Sequence, residues 1–169
     1  FSHTSELSYN PDPKSYGRMN LPGCPMFYGT ITTQPYDCLV NNFTELKQII
    51  PSLSEKFDER NITIAEYRIK YSFLAAAMVF YDEYVKKRKD FQWLYSFFKS
   101  QYPKDFEILK EFSFLLSLTE KDKYFSNRIT ATITGYIFNQ FQNMEAILYP
   151  SANFSGEGDN IAITPKGME

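Results

Sequence analysis

Three stripes of apolar residues at helical spacing follow one another through the middle of the chain and limit what it can fold into. Their members recur three or four positions apart, so each stripe occupies one face of a helix. The stripes comprise Phe91, Leu94, Tyr95, Phe98 and Tyr102, then Phe106, Leu109, Phe112 and Leu116, and finally Ile129, Ile133, Tyr136 and Ile137. The sequence therefore predicts three successive helices, the third with Ser126 as a candidate N-cap.

Strand-like segments lie on both sides of this helical middle. Residues 26–31 form a β-rich run after a Pro/Gly turn, and residues 65–71 alternate apolar and polar side chains. Residues 146–149 and 160–164 are again strand-like, with a glycine-containing turn before the second segment. We therefore predict a mixed α/β fold in which a small mixed sheet, built from N- and C-terminal strands, encloses the helices.

The length of 169 residues suits one compact domain, which we place at residues 18–169 after a polar N-terminal arm at residues 1–17. Residues 42–59 are expected to be helical in two pieces, because Pro51 interrupts them. The apolar run FLAAAMVFY at residues 73–81 fits a buried strand and a short core helix equally well.

Composition argues against several classes of function. Lys and Arg number 18 against 20 Asp and Glu, and the net charge of −2 provides no bulk attraction to nucleic acid or to an anionic membrane. The basic run at residues 86–89 precedes the aromatic stretch FQWLYSFF, yet a solvated turn beside core aromatics explains it better than a nucleic-acid surface. No apolar run reaches the roughly 20 residues of a membrane-spanning helix. We expect direct contact with neither nucleic acid nor membrane.

Histidine and metal chemistry are also excluded within this chain. His3 is the only histidine and has no cysteine or acidic cluster around it in the sequence. A histidine-based zinc site, a Ser-His-Asp triad and a Cys-His dyad therefore cannot be assembled. Cys24 and Cys38 match no metal or redox spacing, so we expect free thiols, no bound metal and a cytoplasmic protein.

Two segments near the ends carry more specific motifs. The first, SYGRMNLPGCPMFYGT, places Arg18 before a Pro/Gly turn and a strand with Tyr28, and a guanidinium is a fork-shaped donor suited to phosphate. The second, AILYPSANFSGEGDNIAI, places Ser151 after Pro150 at the end of a strand. In order and position the two segments resemble the opening and closing motifs of the RES-domain family, which is named for its arginine, glutamate and serine.

The resemblance implies a compact fold akin to that of ADP-ribosyltransferases, and a toxin component of a bacterial toxin–antitoxin pair. Characterised members consume NAD+ by hydrolysis, by phosphorolysis or by ADP-ribosylating a protein. By this resemblance Arg18 would hold the pyrophosphate, Tyr28 would stack on the nicotinamide side, and Ser151 would hydrogen-bond the nicotinamide ribose or amide. Asn20 and Asn160 would shape the turns beside them. The implied partners are NAD+, an antitoxin protein and a second copy of the chain in a homodimer.

The family's glutamate has no clear equivalent in this sequence. Cleavage of an N-glycosidic bond passes through an oxocarbenium-like state that a carboxylate stabilises. The corresponding stretch QPYDCLVNNF brings Asn41 near the expected position, whereas Asp37 comes early and Glu45 comes late. Two hypotheses stay open: an enzyme that uses Glu45 or Asp37, and a degenerate relative with Asn41 in place of the acid, which binds a nucleotide or a protein without efficient cleavage.

Aromatic residues make up 18% of the chain and predict a ring-rich core. A face of one predicted helix around Trp93 to Phe98 also carries aromatic rings. A third hypothesis is therefore an interaction module that docks a partner through this helix.

Overall fold

The computed structural model of the chain describes residues 12–31, 71–118, 123–151 and 159–168. The strands in these ranges are β1 (Phe27–Ile31), β2 (Leu74–Ala77), β3 (Met144–Pro150) and β4 (Asp159–Ile163). The α-helices are α1 (Asp82–Lys87), α2 (Gln92–Gln101), α3 (Pro103–Ser117) and α4 (Lys123–Gln140). Short 3-10 turns occupy Lys89–Phe91 and Pro165–Met168.

The four strands form one mixed sheet in the order β1–β4–β3–β2. Strands β1 and β3 both pair antiparallel with β4, whereas β2 pairs parallel with β3. The two C-terminal strands therefore lie at the centre, and the strands that precede the helices lie at the edges. This arrangement confirms the predicted mixed α/β domain, in which strands from both ends of the chain form the sheet and the middle is helical.

The three predicted helices are present as α2, α3 and α4. Pro103 opens α3 at its first turn, where the missing N–H removes no helical hydrogen bond. Helix α4 begins at Lys123, so Ser126 lies inside the helix and the N-cap predicted there is wrong. A good N-cap residue is tolerated within a helix because propensity is a weak local preference.

The ambiguous segment at residues 73–81 contains strand β2, and helix α1 follows it. Met78 N–H then donates to Leu148 O at 2.8 Å, which extends the pairing with β3 by one residue. The helices predicted at residues 42–59 and the strand predicted at residues 65–71 fall outside the described residues, except for Tyr71.

Side chains alternate along each strand, so the sheet has two faces with different neighbours. The register aligns Tyr28 with Ala162 and Ala162 with Ile147 on the face that packs against helices α3 and α4, here called the helix face. Its buried core comprises Met19, Met26, Met78, Phe112, Leu116, Ile147, Tyr149 and Ala162. The opposite face, here called the back face, centres on Ala146, Ile161 and Ile163.

Aromatic rings fill the junction between the sheet and helices α2 and α3. Phe80 meets Phe98 and Phe106 edge-on, with ring centroids 5.3 and 6.1 Å apart, and Tyr95 meets Phe106 at 4.9 Å. Edge-to-face pairs of this kind stabilise a core beyond the area they bury. The ring-rich core expected from composition is therefore present.

Candidate functional site

The segment that carries the first motif lies along helix α4. Thr130 Oγ1 donates a hydrogen bond to Arg18 O, and one helical turn later Thr134 Oγ1 donates to Met19 Sδ at 3.2 Å. Both threonines are buried. Threonine side chains are short, so these two hydrogen bonds hold the segment around Arg18 close to helix α4.

Two glycines permit the close approaches in this region. A Cβ at Gly135 would lie 2.9 Å from Leu21 Cδ1, so α4 needs a bare backbone where the segment passes over it. A Cβ at Gly17 would overlap Asn20 Oδ1 and lie 3.3 Å from Tyr28 Oη. Gly17 therefore leaves the space that the asparagine side chain occupies.

Tyr28 and Asn20 are joined through the tyrosine hydroxyl. Tyr28 Oη donates to Asn20 Oδ1 at 2.9 Å and accepts the Met19 N–H at 3.0 Å. Asn20 Nδ2 in turn lies 3.4 Å from Leu21 O and 3.5 Å from Ser15 O. The asparagine is buried and holds the turn that precedes β1.

The two ends of the Tyr28 side chain have different environments. Its hydroxyl is enclosed by the Met19 and Asn20 contacts, and burial raises the pKa of Tyr28 to about 12, against the Met19 hydrogen bond and the Arg18 charge, which lower it. The residue as a whole is nevertheless 38% exposed. Tyr28 is therefore a neutral phenol near pH 7, fixed at its tip, and can offer a ring surface but no proton-accepting phenolate.

Arg18 reaches from the same segment to the end of helix α3. Its Nη1 donates to Leu116 O at 2.6 Å and its Nη2 donates to Leu118 O at 3.0 Å. A cation is favourable at a helix C-terminus, where carbonyl groups lack intrahelical partners. These two bonds use two of the five guanidinium N–H donors. We refer to Arg18, Asn20 and Tyr28 together as the Arg18–Tyr28 cluster.

Asn160 is related to this cluster through the sheet. It pairs with Thr30 on β1 and with Tyr149 on β3, while Tyr28 pairs with Ala162 two residues further along β4. Residues two apart on a strand point to the same side, so Asn160 and Tyr28 are diagonal neighbours on the helix face. Ser151 directly follows Pro150, the last residue of β3, and is buried.

The candidate carboxylates of the sequence, Asp37 and Glu45, and the alternative Asn41 lie outside the described residues. Inside the described ranges, no carboxylate hydrogen-bonds to or pairs with any member of the Arg18–Tyr28 cluster. The same ranges contain no group of three His, Cys, Asp or Glu residues that could hold a metal ion.

Asp159 lies next to Asn160 in the sequence but points to the opposite side of the sheet. It pairs with Ile31 and Pro150, so its carboxylate belongs to the back face. There it accepts a hydrogen bond from Arg88 Nη1 at 2.5 Å. Asp159 therefore does not provide the missing acid on the helix face.

The basic run at residues 86–89 does not form a continuous cationic surface. Lys86 Nζ pairs with Glu83 Oε1 at 2.7 Å, one turn back on helix α1. Arg88 is turned towards Asp90 and Asp159. Because acidic partners neutralise Lys86 and Arg88, the run resembles a structural element more than a phosphate-binding groove.

The surface of helix α2 proposed for partner docking is partly exposed to solvent. Trp93 is 69% exposed on α2 and Phe97 is 47% exposed one turn later, whereas Phe98 packs against Phe80. The exposed pair leaves the interaction hypothesis standing as a prediction. Helical spacing separates these two rings from Phe98, because Trp93 and Phe97 lie outside the apolar stripe that contains it.

Sequence reasoning did not anticipate the contributions of helix α4 or of Asp159. The sequence does contain a signal for the contribution of helix α4. Its small residues Thr130, Ala131, Thr134 and Gly135 recur at helical spacing and so form a face that another segment can approach closely. Nothing local signals the contribution of Asp159, because the partner Arg88 is 71 positions away.

Comparison with known proteins does not identify a family for this chain. No family model, no curated protein and no solved structure matches this chain. In the ranges that the structure describes, no helix combines the length and the apolar character needed to cross a bilayer.

Proposed function

We propose that this chain is a RES-type domain that binds NAD+ at the Arg18–Tyr28 cluster. The observation that carries the proposal is the fixed orientation of Tyr28: its hydroxyl is held by Met19 N–H and Asn20 Oδ1, so the half-exposed ring is presented rigidly. A rigid aromatic face suits the cationic pyridinium ring of oxidised nicotinamide.

Arg18 is the proposed phosphate-binding residue. Its two bonds to the carbonyls of Leu116 and Leu118 fix the plane of the guanidinium group. The other N–H groups of the guanidinium are donors of the kind that a pyrophosphate oxygen accepts. Preorganisation of this sort reduces the entropy lost on binding. The alternative is that Arg18 only caps helix α3. The two explanations differ in whether substitution of Arg18 weakens NAD+ binding.

Cleavage of the nicotinamide–ribose bond would make the chain an NAD+ glycohydrolase, a phosphorylase or an ADP-ribosyltransferase of toxin type. That activity requires Glu45 or Asp37 to reach the bound ribose. A catalytically degenerate binding module is the second candidate. In this candidate Asn41 stands near the position expected for the acid.

Calorimetric titration of NAD+ tests the binding proposal. Wild-type protein should bind, and Arg18→Gln, which keeps hydrogen-bonding capacity but removes the charge and the fork, should bind at least about tenfold more weakly. Lys166→Gln is the matched control, because this exposed cation lies beside Glu145 and outside the cluster. No binding by wild type, or equal binding by wild type and Arg18→Gln, would refute the proposal.

Nicotinamide release, followed in the same samples with and without phosphate, separates the two candidates. Release that disappears in Glu45→Gln or Asp37→Asn identifies the enzyme and its acid. Binding without release identifies the degenerate module. Release that survives both substitutions would show that neither carboxylate stabilises the transition state and would remove the proposed mechanism.

A further inference from the structure

Arg88, within the basic run, is the centre of a polar cluster on the back face of the sheet. Its Nε and Nη2 form a fork on the Asp90 carboxylate at 2.9 and 2.5 Å, and its Nη1 reaches Asp159 Oδ1 at 2.5 Å. The guanidinium carbon also lies 4.9 Å from the centre of the Phe91 ring. The side chain therefore connects the turn after α1 to the first residue of β4.

Tyr84 makes the second connection to the same carboxylate. It is only 1% exposed, and its hydroxyl donates to Asp159 Oδ1. Burial and the neighbouring Asp159 carboxylate raise the pKa of Tyr84 far above its ordinary value, so the hydroxyl remains a donor. One carboxylate oxygen thus receives both a neutral and a charged donor from helix α1 and its end. We call Tyr84, Arg88, Asp90 and Asp159 the Arg88–Asp159 anchor.

The anchor holds the strand ends that carry two of the candidate site residues. Asp159 is aligned with Pro150 on β3, and Pro150 is followed by Ser151, while Asp159 itself is followed by Asn160. A strand residue fixed on one face fixes the direction of the next residue on the other face, because side chains alternate. Tethering of Asp159 on the back face therefore sets where Asn160 points on the helix face.

We infer that Tyr84 and Arg88 are positioning residues for the NAD+ site: through Asp159 they orient Asn160 and the β3 end at Ser151 towards the bound ligand. The inference rests on the proposed function for its ligand, but the mechanical link from α1 to β4 does not. Without the link, the first residue of β4 would be held by strand pairing alone.

Tyr84 in helix α1 and Tyr95 in helix α2 provide a matched pair of tyrosine substitutions for the test. Tyr84→Phe deletes the hydroxyl that bonds Asp159, and Tyr95→Phe deletes one that bonds Asp82 Oδ1 at 2.6 Å, away from β4. Both retain the ring. Tyr84→Phe should weaken NAD+ binding about three- to tenfold, the range usual for coupling through a packed network, while Tyr95→Phe should leave the dissociation constant within twofold.

Amide hydrogen exchange of residues 159–163 gives a readout that does not require NAD+. Exchange in this strand should accelerate in Tyr84→Phe and not in Tyr95→Phe, and Arg88→Lys should lie between wild type and Tyr84→Phe because it keeps a charge but not the fork. Equal exchange in the two tyrosine variants would overturn the inference. If wild type fails to bind NAD+ while the exchange result holds, the proposed function fails and the link to β4 stands.

Altered exchange combined with unchanged NAD+ affinity in Tyr84→Phe would also overturn the positioning role, because the anchor would then stabilise the fold without orienting the site. An unfolded Tyr84→Phe variant is detected by circular dichroism. In that case Arg88→Lys, which leaves the buried ring intact, takes its place in both measurements.

Discussion

The Arg18–Tyr28 cluster and the Arg88–Asp159 anchor are both hydrogen-bonded polar groups beside the same sheet, but the chain builds them in opposite ways. Asn20 and Tyr28 are eight positions apart, and their contact closes within one turn and the start of one strand. Arg88 and Asp159 are 71 positions apart and meet only after the sheet has formed. A short loop closes at little entropic cost, so the contact between Asn20 and Tyr28 can form locally. The bonds of Arg18 to Leu116 and Leu118, like the contact between Arg88 and Asp159, depend on the whole fold.

The two groups also differ in charge balance. In the cluster, the cation of Arg18 bonds two backbone carbonyls, which carry only partial charges. In the anchor, the cation of Arg88 faces two carboxylates at close range. A guanidinium already paired with two anions has little to offer a third, and one that bonds carbonyls keeps its net charge for a ligand. The contrast favours the cluster as the ligand site and the anchor as its support.

The largest effect should come from removal of the cation in the anchor. Arg88→Met leaves the Asp159 carboxylate, whose side chain is 12% exposed, with Tyr84 as its remaining donor in the anchor. Loss of one partner from a poorly solvated pair costs about 3 kcal/mol in the free energy of unfolding. Urea denaturation of wild type and Arg88→Met measures this loss in the free energy of unfolding. Lys110→Met, which breaks the more exposed pair with Asp82, is the control and should cost clearly less. Equal losses would mean that the anchor is no more than a surface ion pair.

A steric change should break the cluster next. In Gly17→Ala the new methyl group overlaps Asn20 Oδ1, so the asparagine must leave the Tyr28 hydroxyl. We expect a loss of about 2 kcal/mol in the free energy of unfolding, typical of forced repacking, together with weaker NAD+ binding. Gly23→Ala tests backbone strain instead. Gly23 has φ +77° with open space around it, so its substitution should cost about 1 kcal/mol and leave NAD+ binding unchanged. Unchanged NAD+ affinity in Gly17→Ala would show that the contact between Asn20 and Tyr28 is not needed for NAD+ binding.

The Tyr28 hydroxyl predicts a pH dependence at the alkaline end. Its pKa is raised to about 12 from an ordinary value of 10.0, so the folded state holds the proton more tightly than the unfolded state. The associated stability is fully present below pH 10.0 and is lost as the pH rises towards 12. The difference in phenolate absorbance between wild type and Tyr28→Phe should titrate near pH 12. A difference curve centred at pH 10 would show that the hydroxyl is solvated.

The smallest effect should come from the outer cations of the basic run. Lys86→Ala removes an exposed pair with Glu83 and should leave the free energy of unfolding unchanged within error. Binding of a single-stranded oligonucleotide should be undetectable for wild type at physiological salt, and Lys86→Ala should not change that. Oligonucleotide binding that Lys86→Ala weakens would restore the nucleic-acid interpretation of this run.

Much of the fold could be predicted because its signals are periodic. The stripes that run from Phe91 to Ile137 are repeated enough times to define helices α2, α3 and α4, and the strands near both ends follow turn signals. The run at residues 73–81 could not be assigned, since a short apolar segment fits a strand and a helix alike. Ser126 was misplaced as an N-cap because a favourable residue type recurs inside helices as well as at their ends.

The candidate site was predictable only where its residues are close in sequence. Asn20 and Tyr28 lie within one motif and are joined by a hydrogen bond, and Arg18 lies in the same segment. Ser151 and Asn160 come from the opposite end of the chain, and only strand pairing relates Asn160 to Tyr28. Thr130 lies outside both motifs, and Asp159 lies within the second motif but had no role assigned to it. Their importance depends on which element packs against which, and that information is distributed over the whole sequence.

The central claim is that the fixed ring of Tyr28 contacts the nicotinamide of bound NAD+. Nuclear Overhauser effects between nicotinamide ring protons and the Tyr28 ring, assigned with tyrosine-labelled protein and a Tyr28→Phe comparison, test it most directly. We expect cross-peaks to Tyr28 at saturating NAD+, and we expect Arg18→Gln to abolish them at the same ligand concentration. Saturation with cross-peaks only to other rings, or with none, would place the ligand elsewhere and refute the proposed contact.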